Sequence, residues 1–207
     1  MAWTTPKTWV TGELATASDL NTYIRDNQNA IFSGQIKQFI PSAAIIPTTS
    51  NGCAGLTTRE TTSGKPDLHY LAFDGASDEH AQFSYALPAA WNLGNLTFRV
   101  HWSTDHTGTS GIAMFLKAVS VSDGDTADVN FGTAVSVEDN AQSAAEDVLI
   151  SAESADITPA GSPADNELTF FDIYRDISDA ADTMGSNDLW LLGVDLLFTL
   201  DQLYETV

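Results

Sequence analysis

The sequence predicts a mainly β protein: an antiparallel sandwich preceded by an extended N-terminal arm with one short helix. Three observations carry that expectation. From about residue 53 onward, apolar residues recur with a period of two. Turn-forming clusters interrupt this part of the chain at roughly ten- to twenty-residue intervals. Helical periodicity is confined to one stretch, ATASDLNTYIRDNQNAIF. Beyond residue 53 nothing alternates strand and helix as a parallel nucleotide-binding sheet does.

Taken in order, MAWTTPKTWVTGEL reads as extended, with Pro6, several threonines and the anchors Trp3, Trp9 and Val10. The helix follows. Thr16 or Ser18 can cap it, and Asp19 sits in the first turn, where negative charge favours the helix dipole. Leu20, Ile24, Asn27 and Ile31 fall on one face at spacings of four, three and four. A buried Asn in such a stripe fixes the register of a self-associating helix, whereas a surface Asn does nothing of the kind; both readings stay open. Gly34 is placed to end the helix, and Pro41 and Pro47 punctuate IPSAAIIPTTSNG. The boundaries drawn are an arm and helix over 1–40, a linker over 41–52 and a sandwich over 53–207.

Within the sandwich, LTFRVHWS sets Leu96, Phe98, Val100 and Trp102 against Thr97, Arg99, His101 and Ser103, a strand with one buried face. GIAMFLKAVSV places Ile112, Met114 and Leu116 on one side. LWLLGVDLLFTL places Trp190, Leu192, Val194, Leu196, Phe198 and Leu200 on one face, with Gly193 allowing a close approach. Further strands are expected near 69–74, 79–87, 132–138, 147–153 and 167–175. The expected core includes Phe73, Phe83, Tyr85, Phe98, Val100, Trp102, Met114, Leu116, Phe171, Ile173, Leu192, Val194 and Leu196. The opposite phase, with Leu168 and Phe170 inward, stays open.

Composition narrows function mainly by exclusion. The chain has 207 residues with 8 Lys and Arg against 28 Asp and Glu, a formal charge of −20. Such a surface cannot coat nucleic acid. At 43% hydrophobic and 10% aromatic residues the chain is too apolar for an acidic disordered one. No apolar run is long enough to insert in a membrane, and MAWTTPKTWV lacks a secretory signal core. The acidity fits a protein working in saline water or simply one with negative loops.

Residue chemistry offers no reaction. There is no G-x-S-x-G elbow, H-E-x-x-H helix, P-loop or G-x-G-x-x-G run. His101 and His106, with Asp105 between them, form the densest imidazole–carboxylate group, in a segment that reads as a loop. Asp123, Asp125, Asp128 and Asn130 offer oxygen ligands suited to calcium, but without an EF-hand's glutamate or helices a solvated turn is favoured. Asp78–Glu79 and Glu138–Asp139 are adjacent pairs whose side chains diverge in strands. Cys53 stands alone, and Trp91, although a ring able to stack on a sugar, reads as part of a packed turn. No catalytic residue, metal site or cofactor is expected.

Against this blank, the first 32 residues are informative. WTTP at 3–6, TWVTGELATASDLN at 8–21 and YIRDN at 23–27 resemble the N-terminal segment of many tailed-phage structural proteins. LPAAWNLGNLTFRVHWS, FGTAV, ITPAGSPA and IYRDISDAADTM resemble the jelly-roll-like sandwich of the same group, whose members are tail-fibre, minor-tail and head-decoration proteins. The resemblance implies a non-enzymatic virion protein on the exterior of the particle, docked to capsid or tail proteins through Trp3, Trp9, Leu20, Tyr23, Ile24 and Arg25. The alternative is an adhesin module that recognises host-surface glycans. A homotrimer is expected, partly by analogy with that group and partly from two apolar surfaces. One is the helix stripe Leu20, Ile24, Asn27 and Ile31; the other is Leu189, Leu191 and Leu197, opposite the core face of the last strand.

Overall fold

In the computed structural model, residues 4–32, 34–164 and 167–200 are described. The helical stretch has three parts: α1 (Ala17–Leu20), a π turn over Asn21–Arg25, and α2 (Asp26–Phe32). Thr16 and Asp19 close the capping box that their spacing invites: the Asp19 N–H donates to Thr16 Oγ1 and the Thr16 N–H to Asp19 Oδ2, both at 3.1 Å. No helix of the described residues is long and apolar enough to cross a membrane.

The strands are β1 (Gln35–Pro41), β2 (Ile46–Pro47), β3 (Thr57–Glu60), β4 (Asp67–Phe73), β5 (Glu79–Ala86), β6 (Thr97–Ser103), β7 (Gly111–Val121), β8 (Val135–Asn140), β9 (Leu149–Ile150), β10 (Leu168–Arg175) and β11 (Leu189–Thr199). They form two antiparallel sheets packed as a jelly-roll-like sandwich. One runs β3-β4-β11-β6-β9, with β1 also on β11; the other runs β2-β5-β10-β7-β8. Along one edge of β11, β4 pairs with Leu189–Leu191 and β1 with Gly193–Thr199, while β6 takes the other edge. The core between the sheets holds Phe73, Phe98, Trp102, Leu116, Phe171, Ile173, Val194 and Leu196. Trp102 spans both sheets: its ring is buried, and its indole N–H donates to Asp139 Oδ2 of β8 at 2.8 Å.

Two expectations need correcting. The sandwich begins at Gln35, not residue 53. β1 lies in the stretch assigned to the arm, and the supposed linker puts Ile45 into the core and β2 onto β5. Next, the phase of the last strand breaks in its middle. The register with β6 shifts between Leu191 and Gly193, so one residue is left over and the inward face switches from odd to even positions. Leu189 and Leu191 are 0% exposed in the core, Leu197 is 5% exposed, and Leu192 is pushed out of the core to partial exposure. Burying a leucine is worth about 1.5–3 kcal/mol, and an unbroken alternation would have turned Leu189 and Leu191 to solvent. The three leucines therefore make no exposed patch. On β10 the expected core residues Phe171 and Ile173 do face inward, together with Thr169 and Arg175, and the open alternative falls away because Leu168 and Phe170 face outward.

Candidate functional site

The outer face of the second sheet collects side chains that the core does not need. Register sets them in three rows across β5, β10 and β7: His80–Tyr174–Phe115, Gln82–Asp172–Lys117 and Ser84–Phe170–Val119. In the first row the rings stack on one another, His80 on Tyr174 at 4.7 Å and Phe115 on Tyr174 at 5.2 Å. This spacing matches the distance between strands, so the rings stand on the sheet as a ridge with their faces mutually covered. Burial, and then the charges of Asp176, Asp172 and Asp78, raise the Tyr174 hydroxyl above its ordinary range.

The second row is electrostatic. The Asp172 carboxylate is buried and receives Lys117 Nζ at 2.9 Å and His80 Nδ1 at 3.1 Å. Lys117 also lies 5.4 Å from the ring centres of both Phe131 and Tyr174. A buried carboxylate held by two partners on a sheet face fixes Lys117 and His80 in place.

Around Phe170 the surface opens. Its ring forms a wall shared by three adjoining clefts. The smallest, about 310 Å³, is lined by Phe170, Phe131, Val119, Val129, Ala127 and Gln82. A second, about 540 Å³, runs past Gln82 and Ser84 to Ile46, Pro47, Thr48 and Thr49. The third, about 640 Å³, extends past Leu168 to Ser122, Asp123 and Glu167. Among the described residues neither Phe131 nor Phe170 is stacked on another ring. The groove thus combines aromatic walls and an apolar floor with a rim of amide, hydroxyl and carboxylate groups, a composition suited to a small polar ligand with an apolar face.

The residues singled out from the sequence lie elsewhere. Trp9, Leu20 and Ile24 are exposed, Tyr23 is half-buried, and Arg25 pairs with the neighbouring Asp26. Trp3 and the Ile31 side chain lie outside the described residues. Asn27 is buried, but its partners are within the chain: it accepts from the Thr4 N–H at 2.8 Å, and its amide donates to the Thr4 and Tyr23 carbonyls at 2.8 and 3.2 Å. It ties the extended arm to the helix, a role that neither reading of the stripe had assigned. His101 and His106 have separate partners: His101 Nε2 lies 2.9 Å from Asp195 Oδ2 on the first sheet, and His106 Nε2 lies 3.2 Å from Ser110 Oγ. Asp123 lines the groove, yet the described residues hold no group of three or more His, Cys, Asp or Glu able to hold a metal ion. Trp91 is 2% exposed and belongs to the core. Burial, with the charge of Glu79, pushes the Cys53 thiol up to about 12, so it is not a thiolate at neutral pH.

The sequence does carry one signal of the groove. Both faces of β7 and β10 carry large apolar residues, and a strand with rings on its solvent face has surface to hide or to use.

No family model and no curated protein matches the chain. Among solved structures, a xylan-binding module, CBM15, is similar over 83% of this chain and 100% of its own, with 13% identity and a TM-score of 0.43. CBM35 from Cellvibrio japonicus Abf62 is similar over 79% and 92%, with 8% identity and a TM-score of 0.42. A carbohydrate-binding module described for specific mannan recognition, TmCBM27, is similar over 80% and 98%, with 10% identity and a TM-score of 0.33.

Proposed function

We propose that the protein is a non-enzymatic glycan-binding module whose site is the groove around Phe170. The observation that carries this reading is the open cleft between Phe131 and Phe170, floored by Val119 and edged by Gln82. A pyranose ring presents C–H groups on its faces and hydroxyls around its rim. It needs a ring face free for contact and in-plane donors and acceptors beside it. The first requirement is met by Phe170, and the second by Gln82, Ser84, Ser122 and Glu167. The ridge and the Lys117–Asp172–His80 cluster give the groove a stiff flank, which lowers the ordering cost of binding. Affinity electrophoresis and calorimetry against a panel of neutral polysaccharides test this. Wild type is expected to bind at least one of them, and Phe170→Ala to lose that binding while keeping its fold. A blank panel, or Phe170→Ala binding like wild type, overturns it.

A second reading, display of this module on the exterior of a tailed-phage particle, is favoured by the N-terminal resemblance and by the exposed Trp9, Val10, Leu14, Leu20 and Ile24. Apolar side chains left open in this way on a short arm suit docking to another protein. Immunogold electron microscopy of purified particles tests it: label on the head or tail is expected, and particles free of label refute it.

A further inference from the structure

The −20 charge is not spread evenly. Residues 1–40 hold three cations, Lys7, Arg25 and Lys37, and three acids, Glu13, Asp19 and Asp26, so the whole net charge resides on residues 41–207. Two copies approaching through residues 41–207 meet strong like-charge repulsion; approaching through residues 1–40, they meet less of it. Among the described residues, half of the 14 exposed large hydrophobic side chains also lie in this neutral stretch, from Trp9 to Phe39.

Sheet edges sharpen the point, because an unpaired edge strand is a template for another chain unless charge, brevity or a covering segment blunts it. Five described strands have one partner only. β2 and β9 are two residues long. β3 carries Glu60, and β8 carries Glu138 and Asp139. The remaining one, β1, spans seven residues, QIKQFIP, pairs with β11 alone and contains no acid. Its lysine, Lys37, lies 3.3 Å from Asp195 Oδ2 of its own sheet. Beside that free edge Ile36 is 40% and Phe39 43% exposed. The segment that lacks repulsive charge is thus also the one with a long unpaired edge and apolar side chains next to it.

We propose that a second copy of this chain occupies the free edge of β1, in antiparallel β1–β1 pairing across a twofold axis. The first sheet then continues from one protomer into the next. Main-chain hydrogen bonds supply the contact, Ile36 on one face of the sheet and Phe39 on the other flank it, and the two sandwiches meet only along this acid-free edge. Such an isologous contact closes on itself, so the assembly is a dimer and not the trimer expected from the sequence.

Sedimentation equilibrium of the full chain across a salt series tests this. Twice the 22.2 kDa chain mass is expected, with association tightening as salt screens the acidic bodies. Ile36→Glu and Phe39→Glu place acid at the edge and are expected to give folded monomers. Ile150→Glu on β9 and Leu20→Glu on the helix are expected to leave the dimer intact. Cysteine placed singly at 36, 37, 38 and 39 locates the axis: oxidation should link protomers at the central positions of the strand and not in an otherwise identical Ile150→Cys chain, with buried Cys53 silent. The proposal is overturned by a monomer or trimer at every salt concentration, by a dimer insensitive to both β1 variants, by a dimer lost with Leu20→Glu but kept with Ile36→Glu, or by no position in 36–39 cross-linking.

Discussion

Removing the Arg175 guanidinium should be among the most damaging single changes in the sandwich. Arg175 ends β10 on its inward side and is 0% exposed. Its Nε and Nη2 donate to the two oxygens of Asp182 at 2.7 and 2.8 Å, and Nη1 donates to the carbonyls of Phe73 at 3.1 Å and Asn187 at 2.8 Å. One side chain thus joins β10, the end of β4 and the loop leading into β11. Arg175→Met fills similar space but leaves the Asp182 carboxylate, whose side chain is 2% exposed, as a buried charge without its partner. Breaking a buried pair in this way costs about 3–5 kcal/mol. At roughly 2–4 °C per kcal/mol for a chain of this size, Tm should fall by about 6–20 °C. Arg175→Lys should fall between, because an ammonium cannot grip the carboxylate bidentately and reach both carbonyls. The double variant Arg175→Met with Asp182→Leu removes the orphaned charge and should recover part of the loss. Recovery stays incomplete because the Phe73 and Asn187 carbonyls still lack their donor, at about 1–3 kcal/mol each. Urea unfolding followed by tryptophan fluorescence measures all four proteins. A loss below about 1 kcal/mol for Arg175→Met, the level of an exposed pair, or a double variant no more stable than the single, would refute the reasoning.

Asn27→Ala should release the extended arm from the helix, seen as faster proteolysis near Thr4–Val10 and faster amide exchange there, while the sandwich melts unchanged; an equally protected arm counts against the clamp. Stability should also depend on pH through Asp188 and Glu79, whose carboxyls are held above their ordinary range chiefly by burial, with further repulsion from Asp74 and, for Asp188, Asp105. For an acid raised in the folded state, the native protein binds the extra proton, so this contribution grows as pH falls through the folded value and is lost as pH rises through it. Asp188→Asn should therefore raise Tm at neutral pH and flatten the melting profile on the acid side of neutrality; an unchanged slope says the groups are solvated. In the groove, Tyr174→Ala should weaken glycan binding several-fold by loosening the ridge beside Asp172, and Tyr174→Phe, which keeps the stack, should not; equal losses in calorimetry point to the hydroxyl instead.

How far the sequence could be read depends on whether the information is local. The capping box needs only Thr16 and Asp19, and the alternation of Phe98, Val100 and Trp102 needs only one strand, so both are legible. The edge strand β1 is not, because QIKQFIP has no clean period and follows a helix; it becomes a strand through pairing with β11, more than 150 residues away in sequence. The groove is likewise assembled from β5, β7, β10 and the loop around Val129 and Phe131, and no single segment shows it. β11 lies between these cases: its hydrophobicity is plain, but the bulge that resets its phase follows from register with β6. One residue next to that bulge did announce itself.

Gly193 stands out in the sequence as a site of close approach, and its surroundings give the reason. A Cβ built there would lie 2.4 Å from Cζ and 2.6 Å from Cε2 of Phe39, and 2.7 Å from the carbonyl oxygen of Ile40. The Phe39 ring rests on this bare backbone with its edge toward His101, the two rings 5.1 Å apart. The ring is partly exposed and can swing away, but the Ile40 carbonyl belongs to β1, which is fixed to β11 by pairing from Gln35 to Pro41. Gly193→Ala must therefore shift β1 as well as displace Phe39, an overpacking cost of about 1–3 kcal/mol. Gly193→Val should cost more, since its two γ-methyl groups meet the same wall. If the strain falls on β1, the variants should also speed amide exchange across Gln35–Ile40 while leaving β6 on the opposite edge protected. Phe39→Ala combined with Gly193→Ala should relieve the clash with the ring but not that with the carbonyl, so the double variant should regain only part of the stability. Stability within about 0.5 kcal/mol of wild type for Gly193→Ala, the range of an ordinary surface substitution, would mean that β1 rides loosely on β11 and that the close approach is not needed.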